Sequence, residues 1–194
     1  MLQEWSSKGS LANGTADIYS DVDLVVHLQP GLVDRDLFFE LPAVMEAVGP
    51  RVIDGLGFAA LPRHYVGTFY FSDLPLLWHV DIDCLASAPD WHIDGTDLFS
   101  ITRWEQRFKM WIEAVQRLLR AEEYGGAERQ QYFEEYMADM KMRIAKRMDL
   151  SSVAGPPREQ LSRLLDMETA WHRSEGLGHE KVFTACDALR REVL

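Results

Sequence analysis

The feature that most constrains this chain is a change, near its middle, in the spacing of its apolar residues. Up to about residue 87 they come in short runs rich in β-branched and aromatic side chains, at 23–28, 65–71 and 76–85, separated by turn-forming residues. Runs of that length and composition predict strands. Ser72, Asp73, Leu74 and Pro75 lie between the last two runs and predict a hairpin loop, so those two strands are expected to be antiparallel neighbours. Residues 34–48 carry a helical pattern that Gly49 and Pro50 stop, and Pro42 is expected to divide it or to open its second half.

Past residue 102 the spacing becomes helical. Thr102 and Glu105 form a capping box, in which each side chain satisfies a backbone N–H left open at a helix start. Trp104, Phe108, Trp111, Ile112, Val115, Leu118 and Leu119 then recur at intervals of three and four, up to Gly125 and Gly126. Tyr132, Phe133, Tyr136, Met137, Met140, Ile144 and Met148 repeat the pattern. After a break of Ser, Gly and Pro at 151–157, Leu161, Leu164, Leu165 and Trp171 mark a third helix, and Val182, Phe183, Cys186 and Leu189 a fourth. Stripes at this spacing are expected to be core rather than pocket lining. The predicted class is α+β: a small mixed-sheet domain over 1–98, followed by a helical bundle over 99–194.

Composition narrows the partners. Twenty Lys and Arg against 31 Asp and Glu leave a net charge of −11. A surface of that sign repels a phosphate backbone unless a basic patch overrides it, and no Lys/Arg run is present, so nucleic acid is not an expected partner. A cationic small molecule fits the field better. No stretch reaches the roughly 18 consecutive apolar residues of a membrane span. The N-terminus lacks the basic and apolar regions of a secretory signal, which makes the cytoplasm the expected compartment. Cys84 and Cys186 stand far apart and outside any zinc spacing, so two reduced thiols are expected.

Chemistry concentrates in Gly9-Ser10-Leu11-Ala12 and Ser20-Asp21-Val22-Asp23-Leu24-Val25-Val26. A backbone that approaches a phosphate closely needs Gly9, where a Cβ would obstruct, and Ser10 adds a hydroxyl donor. Gly14 predicts a second tight bend. In a strand, residues two apart share a face, so Asp21 and Asp23 point together while Val22, Leu24 and Val26 face the core. Two carboxylates on one face repel unless a cation separates them, and Mg²⁺ binds through one or two carboxylates plus substrate phosphates. In His79-Val80-Asp81-Ile82-Asp83-Cys84-Leu85, Asp81 and Asp83 again share a face, with His79 alongside. A histidine beside a carboxylate reads first as a structural pair, and second as a group that orients a metal ligand or contacts phosphate.

The Gly-Ser turn, the spacer of about ten residues and the two acids alternating with aliphatics resemble the signature of the DNA polymerase β-like nucleotidyltransferases. The likeness is to the small-molecule branch, the aminoglycoside, lincosamide and minimal nucleotidyltransferases. It covers residues 9–26 and, more loosely, 80–85. The resemblance implies that Gly9 and Ser10 hold a triphosphate and that Asp21 and Asp23 bind Mg²⁺ with a third acid from a later strand, Asp81 or Asp83. Asp81 is the choice, because it follows Val80 inside the run, although Asp83 follows Ile82 in the same way.

The implied reaction is transfer of a nucleoside monophosphate, AMP from ATP, onto a hydroxyl of a small molecule such as an aminoglycoside-like or lincosamide-like antibiotic. Asp81 would then serve as proton acceptor as well as ligand. Members of the family usually carry a helix ahead of the Gly-Ser strand, and Trp5-Ser6-Ser7-Lys8 is more polar than a usual first strand. A face left open there leaves room for a partner subunit in a homodimer. The alternative from another class is a catalytically idle nucleotidyltransferase-like domain or an antitoxin-type protein-binding module.

Three other readings are set aside. Gly55-Leu56-Gly57-Phe58-Ala59-Ala60 matches a dinucleotide fingerprint in letters, but 51–54 is a poor central strand and Leu61-Pro62 interrupts any following helix. Asp17, Asp21 and Asp23 lack the spacing of a calcium loop. A glycosyltransferase with an Asp-x-Asp metal site would need a longer chain.

Overall fold

The computed structural model describes residues 2–28, 34–58, 64–85, 103–176 and 180–194. The class is α+β, with a mixed sheet followed by a helical region. The chain divides into two compact units, Met1–Gln106 and Arg107–Leu194. No helix among the described residues is long and apolar enough to cross a membrane.

The first unit is built on five strands: β1 (Leu2–Ser7), β2 (Val22–Leu28), β3 (Arg51–Phe58), β4 (His64–Phe71) and β5 (His79–Leu85). Their spatial order is β1-β2-β5-β4-β3. The pair β2–β5 is parallel, whereas β1–β2, β4–β5 and β3–β4 are antiparallel. The expected hairpin between the two later runs is present, with Tyr70 opposite His79; its second strand starts at His79 rather than Leu76, because residues 72–78 form two turns with a bend between them.

Two strands, β1 and β3, escape the sequence reading. Both lie at the sheet edges, where polar residues are tolerated on the solvent side, so neither shows a strong apolar run. Gly55 and Gly57 lie inside β3, antiparallel to β4, and so do not form the turn after a parallel strand that dinucleotide binding requires.

Alternation assigns the two faces of the sheet. Val26, Phe69, Phe71 and Ile82 are buried on one face, and Leu41 and Met45 of α2 (Asp34–Glu46) are buried with them. A Cβ at Gly67 would lie 2.8 Å from the Phe69 ring and 3.3 Å from Leu41 Cδ1, so the missing side chain leaves room for Phe69 first and for Leu41 of α2 beside it. The helix runs unbroken through Pro42, against the expectation of a division there. The opposite face carries Thr68, His79, Asp81 and Asp83, all buried. A short helix, α1 (Gly9–Ala12), links β1 to the loop that leads into β2.

The second unit consists of α3 (Arg103–Tyr124), α4 (Ala127–Ala145), α5 (Pro157–Ser174) and α6 (Glu180–Val193). Thr102, half of the expected capping box, lies outside the described residues. Phe108, Trp111, Ile112, Val115 and Leu118 of α3 are buried, as are Phe133, Met137, Met140 and Ile144 of α4. Leu161, Leu164 and Leu165 of α5 and Val182, Phe183, Cys186 and Leu189 of α6 are also buried. Tyr132, counted in the α4 stripe, is exposed instead: it sits one position before Phe133 and faces away from the core. Trp111 Nε1 donates to Glu168 Oε2 at 2.9 Å and so ties α3 to α5 through a buried carboxylate. Burial pushes the Cys186 thiol up to about 12, and burial together with the neighbouring Glu113 keeps the Tyr136 phenol protonated well above its ordinary range.

Candidate functional site

The parallel pairing of β2 with β5 brings together acids that are far apart in sequence. Asp23 is the register partner of Asp81, and residues paired in this way project from the same face of adjacent strands. Asp21 lies just ahead of β2, in the residue before Val22. His79 opens β5, two positions before Asp81 and therefore on the same face.

The result is a compact group of Asp21, His79 and Asp81. One potential ligand atom from each lies within 4.8 Å of the others. His79 Nε2 is 3.1 Å from Asp21 Oδ2 and 3.9 Å from Asp81 Oδ2. His79 is 0% exposed, and neither of its ring nitrogens makes a hydrogen bond among the described residues. Asp81 is buried as well, whereas the Asp21 side chain keeps 28% of its surface. Two buried or half-buried carboxylates thus stand around an imidazole that makes no hydrogen bond among the described residues.

The neighbours fix these groups. Thr68, the register partner of Asp81 on β4, donates from Oγ1 to Asp81 Oδ1 at 2.6 Å, and Asp81 Oδ2 is the oxygen nearer His79. The Tyr70 ring lies 5.2 Å from the imidazole, centroid to centroid, and is tilted by 35°. The loop before Asp21 is bound to itself: Asp17 Oδ1 accepts from Tyr19 N and Ser20 Oγ, and Asp17 N donates to Ser20 Oγ. Trp78 Nε1 donates to Ile18 O at 2.7 Å and fastens this loop to the residue that precedes His79. The segments that lead into Asp21 and His79 are thus tied to each other.

The other residues expected at the site lie around this group. Gly9 has φ of +66°, and a Cβ added there would overlap Asp23 Oδ2. Asp23 therefore sits against the Gly9-Ser10 turn and outside the three-residue group. Ser10 O accepts from Thr15 N at 2.9 Å, which closes the turn, and Gly14 also adopts a positive φ, as the expected bend requires. Asp83, also buried, is ion-paired with Lys8 Nζ. Of the two candidate acids on β5, Asp81 joins Asp21 and His79, while Asp83 is ion-paired with Lys8, the residue between β1 and α1.

Sequence reasoning passed over Lys8, Thr68 and Trp78. A hairpin closed by Ser72–Pro75 alone would set Thr68 opposite His79; the connection in fact runs to Trp78, which shifts the register by two and brings Thr68 opposite Asp81. A lone Lys before Gly9 and a lone Trp before His79 carry no signal.

No protein-family model matches the chain, and no curated protein is similar to it.

Proposed function

We propose that the chain is a divalent-metal-dependent nucleotidyltransferase that moves a nucleoside monophosphate, AMP from ATP, onto a hydroxyl of a small molecule. The observation that carries this reading is the β2–β5 register. It sets Asp23 beside Asp81, with Asp21 and His79 at the same end and the Gly9-Ser10 turn against Asp23. A triphosphate on the Gly-Ser turn would then have its phosphates next to the carboxylates. The donor set fits a cation, because the buried His79 nitrogens lack hydrogen bonds among the described residues and the acids around them repel one another.

Asp21 and Asp81 would hold the metal, with Asp23 beside the phosphates. When bound, Mg²⁺ or a similar ion supplies charge neutralisation for the triphosphate. The remaining work falls to the chain itself. Ser10 and the Gly9 turn bind and orient the triphosphate. Thr68 fixes one oxygen of Asp81, so that the other faces the reacting groups and accepts the proton of the acceptor hydroxyl. The hydroxyl oxygen forms a bond to the α-phosphorus, the bond from that phosphorus to the bridging oxygen breaks, and pyrophosphate leaves. With its charge of −11, the protein favours a cationic acceptor such as an aminoglycoside-like compound over an anionic one.

The test is a mass-spectrometric screen of hydroxylated small molecules with the protein, Mg²⁺ or Mn²⁺, and each of the four triphosphates. A nucleotide-sized mass gain on one acceptor, lost in Asp21→Asn, is the expected result. An undiminished product in Asp21→Asn overturns the assignment. If no product forms and ATP gives no metal-dependent thermal shift, the reading gives way to an idle, protein-binding module.

A further inference from the structure

Six-oxygen coordination suits Mg²⁺, which dehydrates reluctantly and keeps several waters. The group at the start of β5 departs from that pattern through its nitrogen. His79 is fully buried, its Nε2 lies 3.1 Å from one carboxylate oxygen and 3.9 Å from another, and neither ring nitrogen has a hydrogen bond among the described residues. Bonds of about 2.1 Å to one cation place neighbouring ligand atoms about 3.0 Å apart and opposite ones about 4.2 Å apart. The two measured separations lie within that interval.

The 3.1 Å approach of His79 Nε2 to Asp21 Oδ2 is not a hydrogen bond, so the two atoms stand close without the geometry of a donor and its acceptor. Tyr70 lies close against the imidazole, and the β4–β5 register that sets Tyr70 opposite His79 fixes the ring's position before any ligand arrives.

We infer that Asp21, His79 and Asp81 form a binding site for a first-row transition divalent cation, with His79 Nε2 as the nitrogen ligand, and that this site prefers such an ion to Mg²⁺. Imidazole is a good ligand for Co²⁺, Zn²⁺ and their neighbours, and within that series affinity rises from Mn²⁺ toward Cu²⁺. The inference deepens the preceding reading, since it rests on the same cluster being a metal site. It concerns the metal alone and does not require a nucleotide.

The experiment uses the full chain, stripped of metal with a chelator and then titrated with Co²⁺, Mn²⁺ or Mg²⁺ without nucleotide. Thermal shift and the visible absorption of Co²⁺ are followed. Co²⁺ is expected to saturate at a concentration at least about tenfold lower than Mg²⁺. His79→Gln should reduce Co²⁺ affinity on the order of 10–100-fold and leave Mg²⁺ affinity nearly unchanged, whereas Asp21→Asn should weaken both.

Because His79 lies in the core, a second measurement uses unsubstituted protein: pulsed EPR of bound Mn²⁺, with ¹⁵N-labelled histidine, should show coupling to an imidazole nitrogen. Equal affinities for Co²⁺ and Mg²⁺, or bound Mn²⁺ without nitrogen coupling, would overturn the inference. Nucleotide transfer that persists in that case leaves the functional reading intact. Conversely, tight Co²⁺ binding with no transfer to any acceptor removes the functional reading and keeps the metal site.

Discussion

The carboxylate of Asp23 occupies the space where a side chain at residue 9 would begin. Gly9 has a positive φ and a second constraint besides, since an added Cβ overlaps Asp23 Oδ2. Gly14 also has a positive φ, but no atom lies within 4 Å of its missing Cβ. The two glycines form a controlled pair. A non-glycine residue in the left-handed region costs about 1–2 kcal/mol, which corresponds to a few degrees in Tm for a chain of this length. Gly14→Ala should show that cost alone. Gly9→Ala should lose more in Tm and should also lose nucleotide binding, because Asp23 must move. Equal losses in thermal melts and equal ATP affinities for the two variants would refute the coupling between Gly9 and Asp23.

Thr68 is assigned to hold Asp81, and its hydroxyl can be tested apart from its bulk. Thr68→Val removes the donor to Asp81 Oδ1 and leaves a buried carboxylate oxygen short of a partner, at a cost of about 1–3 kcal/mol. Metal affinity should fall on the order of 10–100-fold, the range found when groups that orient ligands are lost. Thr68→Ser keeps the hydroxyl and should restore affinity even if it loses some stability. Metal titrations of the two variants side by side decide the matter, and identical affinities would show that the hydroxyl has no orienting role.

Lys8 and Asp83 should behave as a pair. The Lys8 side chain is 41% exposed and that of Asp83 3%, so the carboxylate bears most of the burial. Lys8→Met should destabilise the first unit by about 1–3 kcal/mol, because a buried acid loses its counter-charge. Adding Asp83→Asn should recover part of that loss. A double-mutant cycle by chemical denaturation reads the coupling directly, and additive single effects would mean that the pair contributes nothing.

The sheet was legible in the sequence where its strands are central and opaque where they are edges. β2, β4 and β5 announce themselves because both neighbours exclude water from one face and demand apolar alternation. β1 and β3 have a neighbour on one side alone, so residues such as Glu4 and Ser6 fit without penalty. At the site, the acids were visible as alternating letters, but the choice between Asp81 and Asp83 was not. That choice depends on Lys8, just past the end of β1, reaching Asp83, and a lone Lys in a polar segment does not announce such a pair. The role of His79 was legible as proximity and not as chemistry, because burial and the lack of hydrogen bonds at a ring nitrogen are properties of the packed sheet.

In the helical unit the clearest expectation concerns pH. Cys186 is buried, and burial disfavours its thiolate, which moves its titration from the ordinary 9.0 up to about 12. Between these values the unfolded chain has released its proton while the folded chain has not, so the folded state loses stability as pH rises from about 9 toward 12. Below pH 9 the group contributes no pH dependence. Alkylation followed by mass spectrometry should find Cys186 unreactive at pH 8 in native protein and modified once denaturant is added. Rapid native modification of Cys186 would show that the helix α6 face opens.

The side-by-side course of β2 and β5 also governs when the site can exist. β2 is made before its in-register partner, which follows α2, β3 and β4 along the chain and inserts between β2 and β4. Until that insertion, Asp21 and Asp23 have no opposing acid and no imidazole, so a nascent or truncated chain has nothing with which to grip a cation. If the cluster holds a metal as proposed, capture of that metal would mark the completed sheet, and the ion would add its binding energy to that topology.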